Sequence, residues 1–244
     1  MSLAGRGLVI TRPRDLAQPF ARLLERRGAR AIVFPAIEIQ PLPAPVTLAR
    51  LAEYDVALFV SPSAVRIALA AQPPWPPRLA AAVGEGTRRE LERAGAPAVI
   101  APTAGADSEA LLALPEMRDL RDKRVLIVRG EGGRELLAES LAARGALVEH
   151  AVCYRRARPA ADAAPLVAAW RRGEVHALTV FSAQALDNFS AMGGAELIAV
   201  LPVFVPHERI ARHARALGAR EVVLAAGGDD EMLERLVAYF DARD

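Results

Sequence analysis

The chain's 244 residues, 52% of them hydrophobic, hold enough apolar material for one large core or two small ones, which excludes a disordered chain. Lys+Arg 31 against Asp+Glu 29 leaves a formal net charge of +2, too even a balance to indicate a nucleic-acid or membrane partner. The single cysteine rules out an intrachain disulfide, the four histidines are scattered away from any zinc spacing, and no apolar run approaches the roughly 20 residues that span a bilayer, so a soluble cytoplasmic protein is expected.

Short apolar β-type runs alternate with amphipathic stretches of helical length, the pattern of parallel sheets covered on both faces. Leu8 to Thr11 reads as the first strand, Asp15 as the cap of a helix to about Arg27, and Gly28 as its stop. Ala31 to Ile39 is extended, and Gln40 to Pro45 reads as a linker because its prolines cannot continue a ladder. Val56 to Ser61 is a buried strand followed by a helix from Ser63 to about Ala71, and the prolines around Trp75 make a loop. Leu79 to Val83 is a strand, Gly84 to Thr87 a turn, Arg88 to Ala94 a helix, Ala98 to Ala101 a strand, and Ser108 starts another helix. The second half continues with strand Lys123 to Val128, helix Glu135 to Arg144, strand Val148 to Arg155 and helix Pro165 to Arg172. Strand Ala177 to Phe181, a helix from Ala183 to about Met192, Val203 to Val205, a helix from about Glu208 to Leu217, strand Glu221 to Ala225 and a helix from Asp229 complete the chain.

The second half also repeats the first. Leu8-Val9-Ile10-Thr11-Arg12, a helical run to Gly28 and a further strand correspond to Leu126-Ile127-Val128-Arg129-Gly130, a helical run to Gly145 and the strand Val148 to Tyr154. Phe59-Val60-Ser61 matches Val180-Phe181-Ser182, and Ala104 to Glu109 matches Ala226 to Glu231. Repeats in a conserved order, about one small domain apart, point to duplication of an open α/β unit.

In open parallel sheets the ligand lies beyond the carboxyl ends of the strands, where loops and helix N-termini supply free N–H groups. Those positions hold Thr11 and Arg12, Ser61 and Ser63, Gly84 and Thr87, Arg129 to Gly133, Ser182 and Gln184, and His207. They are hydroxylic, glycine-rich or basic and suit an anionic ligand, which two lobes would hold in a cleft between them. Each also has a plainer reading. Ser61, Ser182 and Thr87 stand where helix caps belong, Arg12 and Arg129 suit surface ion pairs, and His207 suits a solvated loop. Gly84 and Gly86 lack the third glycine of a dinucleotide turn, and no Walker lysine is present. Ser61 and Ser182 lack a nucleophile elbow, and Cys153 lies inside a strand as a small buried hydrophobe. A receiver domain would need acidic residues where Thr11 and Arg12 stand.

Thr11-Arg12-Pro13, Phe59 to Val65, Val83 to Thr87, Val125 to Gly130, Val152 to Arg155 and Val203 to Ala211, in that order along the chain, resemble the uroporphyrinogen-III synthase family. The resemblance implies two flavodoxin-like lobes joined by a two-stranded β-ladder hinge. Residues 1–35 plus 156–244 would form lobe one, 41–150 lobe two, and 36–40 with 151–155 the hinge strands. It implies a lyase of tetrapyrrole (haem) biosynthesis, acting as a monomer on an anionic tetrapyrrole without cofactor, metal, nucleic acid or membrane. Hydroxymethylbilane, with its eight carboxylates, would be dehydrated and closed with inversion of ring D to uroporphyrinogen III. Tyr154, at the matched hinge tyrosine, is the implied catalytic residue, with packing at a lobe junction as its structural reading. Two departures stand out. Many members have a glycine and a threonine where this chain has Pro206-His207-Glu208-Arg209, which leaves open whether His207 or Arg209 replaces the threonine, and Ser182 is followed by Ala183 rather than proline. The rival reading is a non-catalytic, two-lobed sensor of an anionic small molecule.

Overall fold

The computed structural model describes residues 3–71, 78–96, 98–103, 105, 107–132 and 135–243; the loop expected around Trp75 lies outside them. In chain order the elements are β1 (Gly7–Ile10), α1 (Arg14–Arg26), β2 (Arg30–Val33), β3 (Glu38–Pro41), β4 (Val56–Phe59), α2 (Pro62–Ala70), β5 (Leu79–Ala82), α3 (Glu85–Arg93), β6 (Val99–Ile100), α4 (Ser108–Leu112), β7 (Arg124–Gly130), α5 (Leu136–Ala143) and β8 (Leu147–Ala157). They continue with α6 (Ala164–Arg171), β9 (Ala177–Thr179), α7 (Ala183–Phe189), α8 (Ala195–Val200), β10 (Val203–Val205), α9 (Glu208–Ala216), β11 (Val222–Leu224) and α10 (Asp229–Asp241). The result is a mixed α/β fold with parallel sheets.

The chain divides into two compact units, Met1–Glu38 with Ala157–Asp244, and Ile39–Arg156. In the first unit the strands run β11-β10-β9-β1-β2, and every neighbouring pair is parallel. All four residues of β1 are buried, as a strand covered on both faces requires. The i, i+3, i+4, i+7 stripe Ala17, Phe20, Ala21 and Leu24 of α1 packs against Leu8 and Ile10. Burying Phe20 and Leu24 stabilises the unit by about 2 kcal/mol each.

The second unit has the order β3-β8-β7-β4-β5-β6, with parallel pairs from β8 to β6. Alternate residues of β7 serve two cores: Leu126 and Val128 face Phe59, Val65 and Tyr154, while Val125 and Ile127 face Leu58, Leu111 and Leu141.

Several boundaries differ from the sequence expectation. Pro13 occupies the cap position of α1, so Asp15 does not cap the helix but lies in its first turn, where its charge suits the helix dipole. The run Ala31 to Ile39 is two strands in different sheets, separated at 34–37, where Pro35 supplies no N–H. Pro41, read as linker, closes β3. Gly84 to Thr87 is not a free turn, because α3 already starts at Glu85, whose carboxylate binds Arg88 and Arg89 in the next turn. The helix from Ala183 ends at Phe189, and a π turn through Gly193 at φ +89° leads into α8, which carries no separate signal in the sequence.

The ladders also define which positions correspond. Leu8 lies beside Ala177, and Val125 beside Val56. Four residues on from Leu8 and Val125 stand Arg12 and Arg129; five on from Ala177 and Val56 stand Ser182 and Ser61. Likewise Thr179 lies beside Phe204 and Leu58 beside Ala81, which sets His207 against Gly84. The Arg12–Arg129 and His207–Gly84 correspondences shift by one residue from the side-by-side strings while Ser61–Ser182 does not, and Thr87 falls opposite the buried Ile210 rather than His207 or Arg209.

Candidate functional site

The side chains singled out in the sequence fall into two sets, each at the carboxyl ends of one parallel sheet. Ser61, Ser63, Gly84, Thr87, Arg129 and Tyr154 belong to the second unit, and Thr11, Arg12, Ser182, Gln184 and His207 to the first.

In the second unit, extended backbone at Ser61 followed by Pro62 at the first helical position starts α2, and the Ser61 hydroxyl accepts the Ala64 N–H at 3.1 Å. The same hydroxyl lies 3.0 Å from the Tyr154 phenol oxygen, across 93 residues of sequence. Tyr154 reaches it through a bulge: Arg129 pairs with Val152 and Gly130 with Tyr154, leaving Cys153 as the extra residue. Tyr154 is 2% exposed and lines a cavity of about 190 Å³ together with Val60, Ser108, Arg129, Gly130 and Arg156.

Arg129, 8% exposed, donates to Glu135 at 2.9 Å and to the Gly132 carbonyl. Its charge is thus compensated from the loop that follows β7, and the Gly133 position lies outside the described residues. Ser63 and Thr87 are buried, and the Gly84 carbonyl accepts the N–H groups of Thr87 and Arg88 as the cap of α3. The Cys153 thiol donates to the Arg129 carbonyl at 3.5 Å, and burial pushes its pKa up to about 11, which suits an inert packing residue.

In the first unit Ser182 caps α7 by accepting the Ala185 N–H at 3.1 Å. Thr11 is fully buried, and its hydroxyl donates to the Thr179 carbonyl at 3.0 Å, while the Thr179 hydroxyl donates to Val9. The Arg12 guanidinium donates to Asp229 at 2.6 Å and stacks 3.3 Å from the centroid of Phe181. Desolvation lowers its pKa, and the Asp229 charge opposes that shift. Gln184 is exposed, as is His207, which occupies the cap position of α9 without a side-chain capping bond.

The partners of these side chains were not singled out in the sequence. Glu135, Asp229 and the ring seat at Gly130 carry signals only in retrospect: an acid six residues beyond a strand-end arginine, an acid opening the last helix, and a glycine beside that arginine. Among the described residues no group of three or more His, Cys, Asp or Glu could hold a metal ion, and no helix is long and apolar enough to cross a membrane.

A family model described as uroporphyrinogen-III synthase HemD matches residues 18–233. The chain is 33% identical over 241 residues to the uroporphyrinogen-III synthase of Escherichia coli K12 and 34% identical over 242 residues to that of Salmonella typhimurium LT2. Each alignment covers 93% of this chain and 98% of the relative. Among solved structures, uroporphyrinogen-III synthetase from Helicobacter pylori 26695 superposes with a TM-score of 0.64 at 15% identity, covering 96% of this chain and 99% of that one. A mutant uroporphyrinogen III synthase from the extremely thermophilic bacterium Thermus thermophilus superposes with a TM-score of 0.58 at 21% identity, covering 97% and 99%. These two carry the fold; the family model and the relatives a third identical along nearly their whole length carry the identity. The chain belongs to the uroporphyrinogen-III synthase family, the cyclising lyases that close hydroxymethylbilane in haem biosynthesis.

Proposed function

We propose that this chain converts hydroxymethylbilane to uroporphyrinogen III with inversion of ring D, as a cytoplasmic monomer that needs no nucleic acid, and that Tyr154 acts on the leaving hydroxyl. The observation that carries the role is the Tyr154 phenol, held 3.0 Å from Ser61 at the wall of a cavity shared with the buried guanidinium of Arg129.

The chemistry follows from the substrate. Transfer of a proton to the terminal hydroxyl releases water and leaves an azafulvenium. Attack by the substituted position of ring D gives a spiro intermediate, which fragments and recloses with that ring inverted. The ring-D carbon that forms the last bond loses a proton, which balances the one consumed. The linear substrate closes unaided to the uninverted isomer, so the protein must select one folded conformer and one bond-forming geometry. Arg12, Arg129 and the N–H groups at the starts of α2, α3, α7 and α9 supply partners for its carboxylates, with Thr11, Ser61, Ser63, Gly84, Thr87, Ser182, Gln184 and His207 as the binding positions. A phenol is a weak acid at neutral pH, so its placement matters as much as its proton.

The fold reading accompanies this role. The two sheets are copies of one flavodoxin-like unit, with 1–35 plus 156–244 and 41–150 as lobes and 36–40 with 151–155 as the hinge strands. The matching strand orders support it: β2-β1-β9-β10-β11 and β8-β7-β4-β5-β6 present equivalent strands in the same sequence. The Leu42 N–H donates to the Cys153 carbonyl at 2.9 Å, and Arg155 donates to Gln40 at 2.9 Å, which ties β3 to β8.

The test supplies freshly made hydroxymethylbilane and separates the product isomers by chromatography. Wild-type protein accumulates isomer III, whereas a binding protein that does not catalyse the reaction leaves only isomer I. Tyr154→Phe lowers the rate of isomer III severalfold or more with folding intact; unchanged turnover and isomer ratio remove the role.

A further inference from the structure

We infer that Ser61 and Gly130 are the positioning residues of Tyr154, fixing where its phenol points and polarising it through the N-terminus of α2. The inference rests on the role proposed above for Tyr154.

Gly130 provides the seat. A Cβ built on it would stand 2.5 Å from Cε2 and 2.6 Å from Cζ of Tyr154, the carbon that bears the hydroxyl. Any side chain at this position displaces the hydroxyl-bearing edge of the ring. The bulge at Cys153 supplies the other half of the fit, because without the extra residue Tyr154 would not stand opposite Gly130.

Ser61 then sets the direction of the proton. A serine hydroxyl has one hydrogen and two lone pairs. One lone pair takes the Ala64 N–H at 3.1 Å, and the phenol oxygen lies 3.0 Å away. If the phenol donated to Ser61, its hydrogen would be turned from the cavity. If Ser61 donates, the phenol O–H is left to point at a ligand, and a chain runs from the Ala64 N–H through the Ser61 O–H to the Tyr154 oxygen. Each donor in such a chain strengthens the next. This one begins at the positive end of a nine-residue helix, so it stabilises the negative charge that grows on the phenol oxygen as its proton leaves. Ser182, its counterpart, has the same cap at the same 3.1 Å, and its described hydrogen bonds join it to no phenol.

The experiment measures kcat and KM for isomer III formation from freshly made hydroxymethylbilane, with thermal melting as the control for folding. Ser61→Ala lowers kcat about tenfold, a loss separate from any rise in KM that its place among the binding positions brings. Ser61→Thr, which caps and donates, restores it. Ser61→Asp still caps α2 but, as a carboxylate, cannot donate to the phenol, and it is as slow as Ser61→Ala. Ser61→Ala/Tyr154→Phe is no slower than Tyr154→Phe alone. Gly130→Ala lowers kcat to the Tyr154→Phe level; because it also strains the strand end, the Ser61 series carries the test. If Ser61→Asp turns over like the wild type, or the losses from Ser61→Ala and a slow Tyr154→Phe multiply, the inference is overturned and the role of Tyr154 stands. If Tyr154→Phe itself is as fast as the wild type, both are overturned.

Discussion

At the amino end of β1 the Gly7 N–H donates to Nδ1 of His176 at 2.9 Å, and the His176 N–H returns a bond to the Gly7 carbonyl at 2.8 Å. At the amino end of β7 the Arg124 N–H donates to the Asp55 carboxylate at 3.0 Å, and the Asp55 N–H returns a bond to the Arg124 carbonyl at 2.9 Å. The two units close the same pair of strands with the same backbone clamp, one through an imidazole and one through a carboxylate. At the opposite ends of the strands the pattern recurs. Ser61 and Ser182 make identical caps, yet among the described residues Ser61 alone of the two meets a phenol. Arg12 and Arg129 end equivalent strands, yet Arg12 is paired with Asp229, 217 residues away, and Arg129 with Glu135, six residues away. The two units share these backbone features and differ in the side chains set upon them.

The comparison breaks most sharply at Gly7. A Cβ there would stand 1.9 Å from the Glu174 carbonyl oxygen, whereas the corresponding Arg124 carries a full side chain with ion pairs to Glu53 and Glu149. Gly7→Ala therefore destabilises by about 3 kcal/mol or more in denaturant titration, since backbone must move. Arg124→Ala costs far less, because exposed ion pairs contribute little. Equal losses at the two positions would undo the correspondence drawn from the clamps.

A smaller effect sharpens the contrast between the caps. Ser61→Ala and Ser182→Ala each remove a helix cap and cost about 1 kcal/mol. Thermal melting places them together, while steady-state kinetics separates them: Ser182→Ala, at a binding position, acts on KM, whereas Ser61→Ala lowers kcat. A Ser182→Ala enzyme as slow as Ser61→Ala would mean that the phenol is not what distinguishes the two units.

The smallest effect is on pH. Burial, followed by the charges of Arg6 and Arg30, lowers the His176 pKa, and the ring must be unprotonated at Nδ1 to accept the Gly7 N–H. The folded pKa thus lies below the unfolded value of about 6.5. The stability held in the neutral ring is complete above that value and is lost as pH falls through it toward the folded pKa. Hydrogen exchange compared at pH 7.5 and 5.5 should show protection falling in β1 more than in β7, whose clamp holds no imidazole. His176→Asn, which still offers an acceptor, abolishes the difference; an unchanged difference in that variant would assign it to another group.

Much of the fold was legible because its signals are local. The apolar runs at Leu8 to Ile10, Val56 to Phe59 and Leu126 to Val128 read as buried strands since every residue in them meets a core, and Ser61-Pro62 and Ser182 read as caps because a cap bond spans three residues. The recurrence of these signals in the same order was legible for the same reason. Its register was not: strings of similar apolar residues align equally well one residue apart, and only hydrogen-bonded neighbours choose between the two. The split of Ala31 to Ile39 into β2 and β3 was hidden for a related reason, since extended residues on either side of Pro35 look alike until each pairs with a different sheet.

The amino-acid sequence by itself determined the alternation of strands and helices, the repeat, the candidate side chains at the strand ends and the family, because burial period, caps and motifs act over a few residues. Tertiary structure alone decided which of those side chains meet. The Tyr154 phenol reaches Ser61 through a bulge at Cys153 and a seat at Gly130, and Arg12 is answered by Asp229 from the far end of the chain. These pairings are distant in sequence and depend on ångström-scale packing, so no local pattern of residue types encodes them.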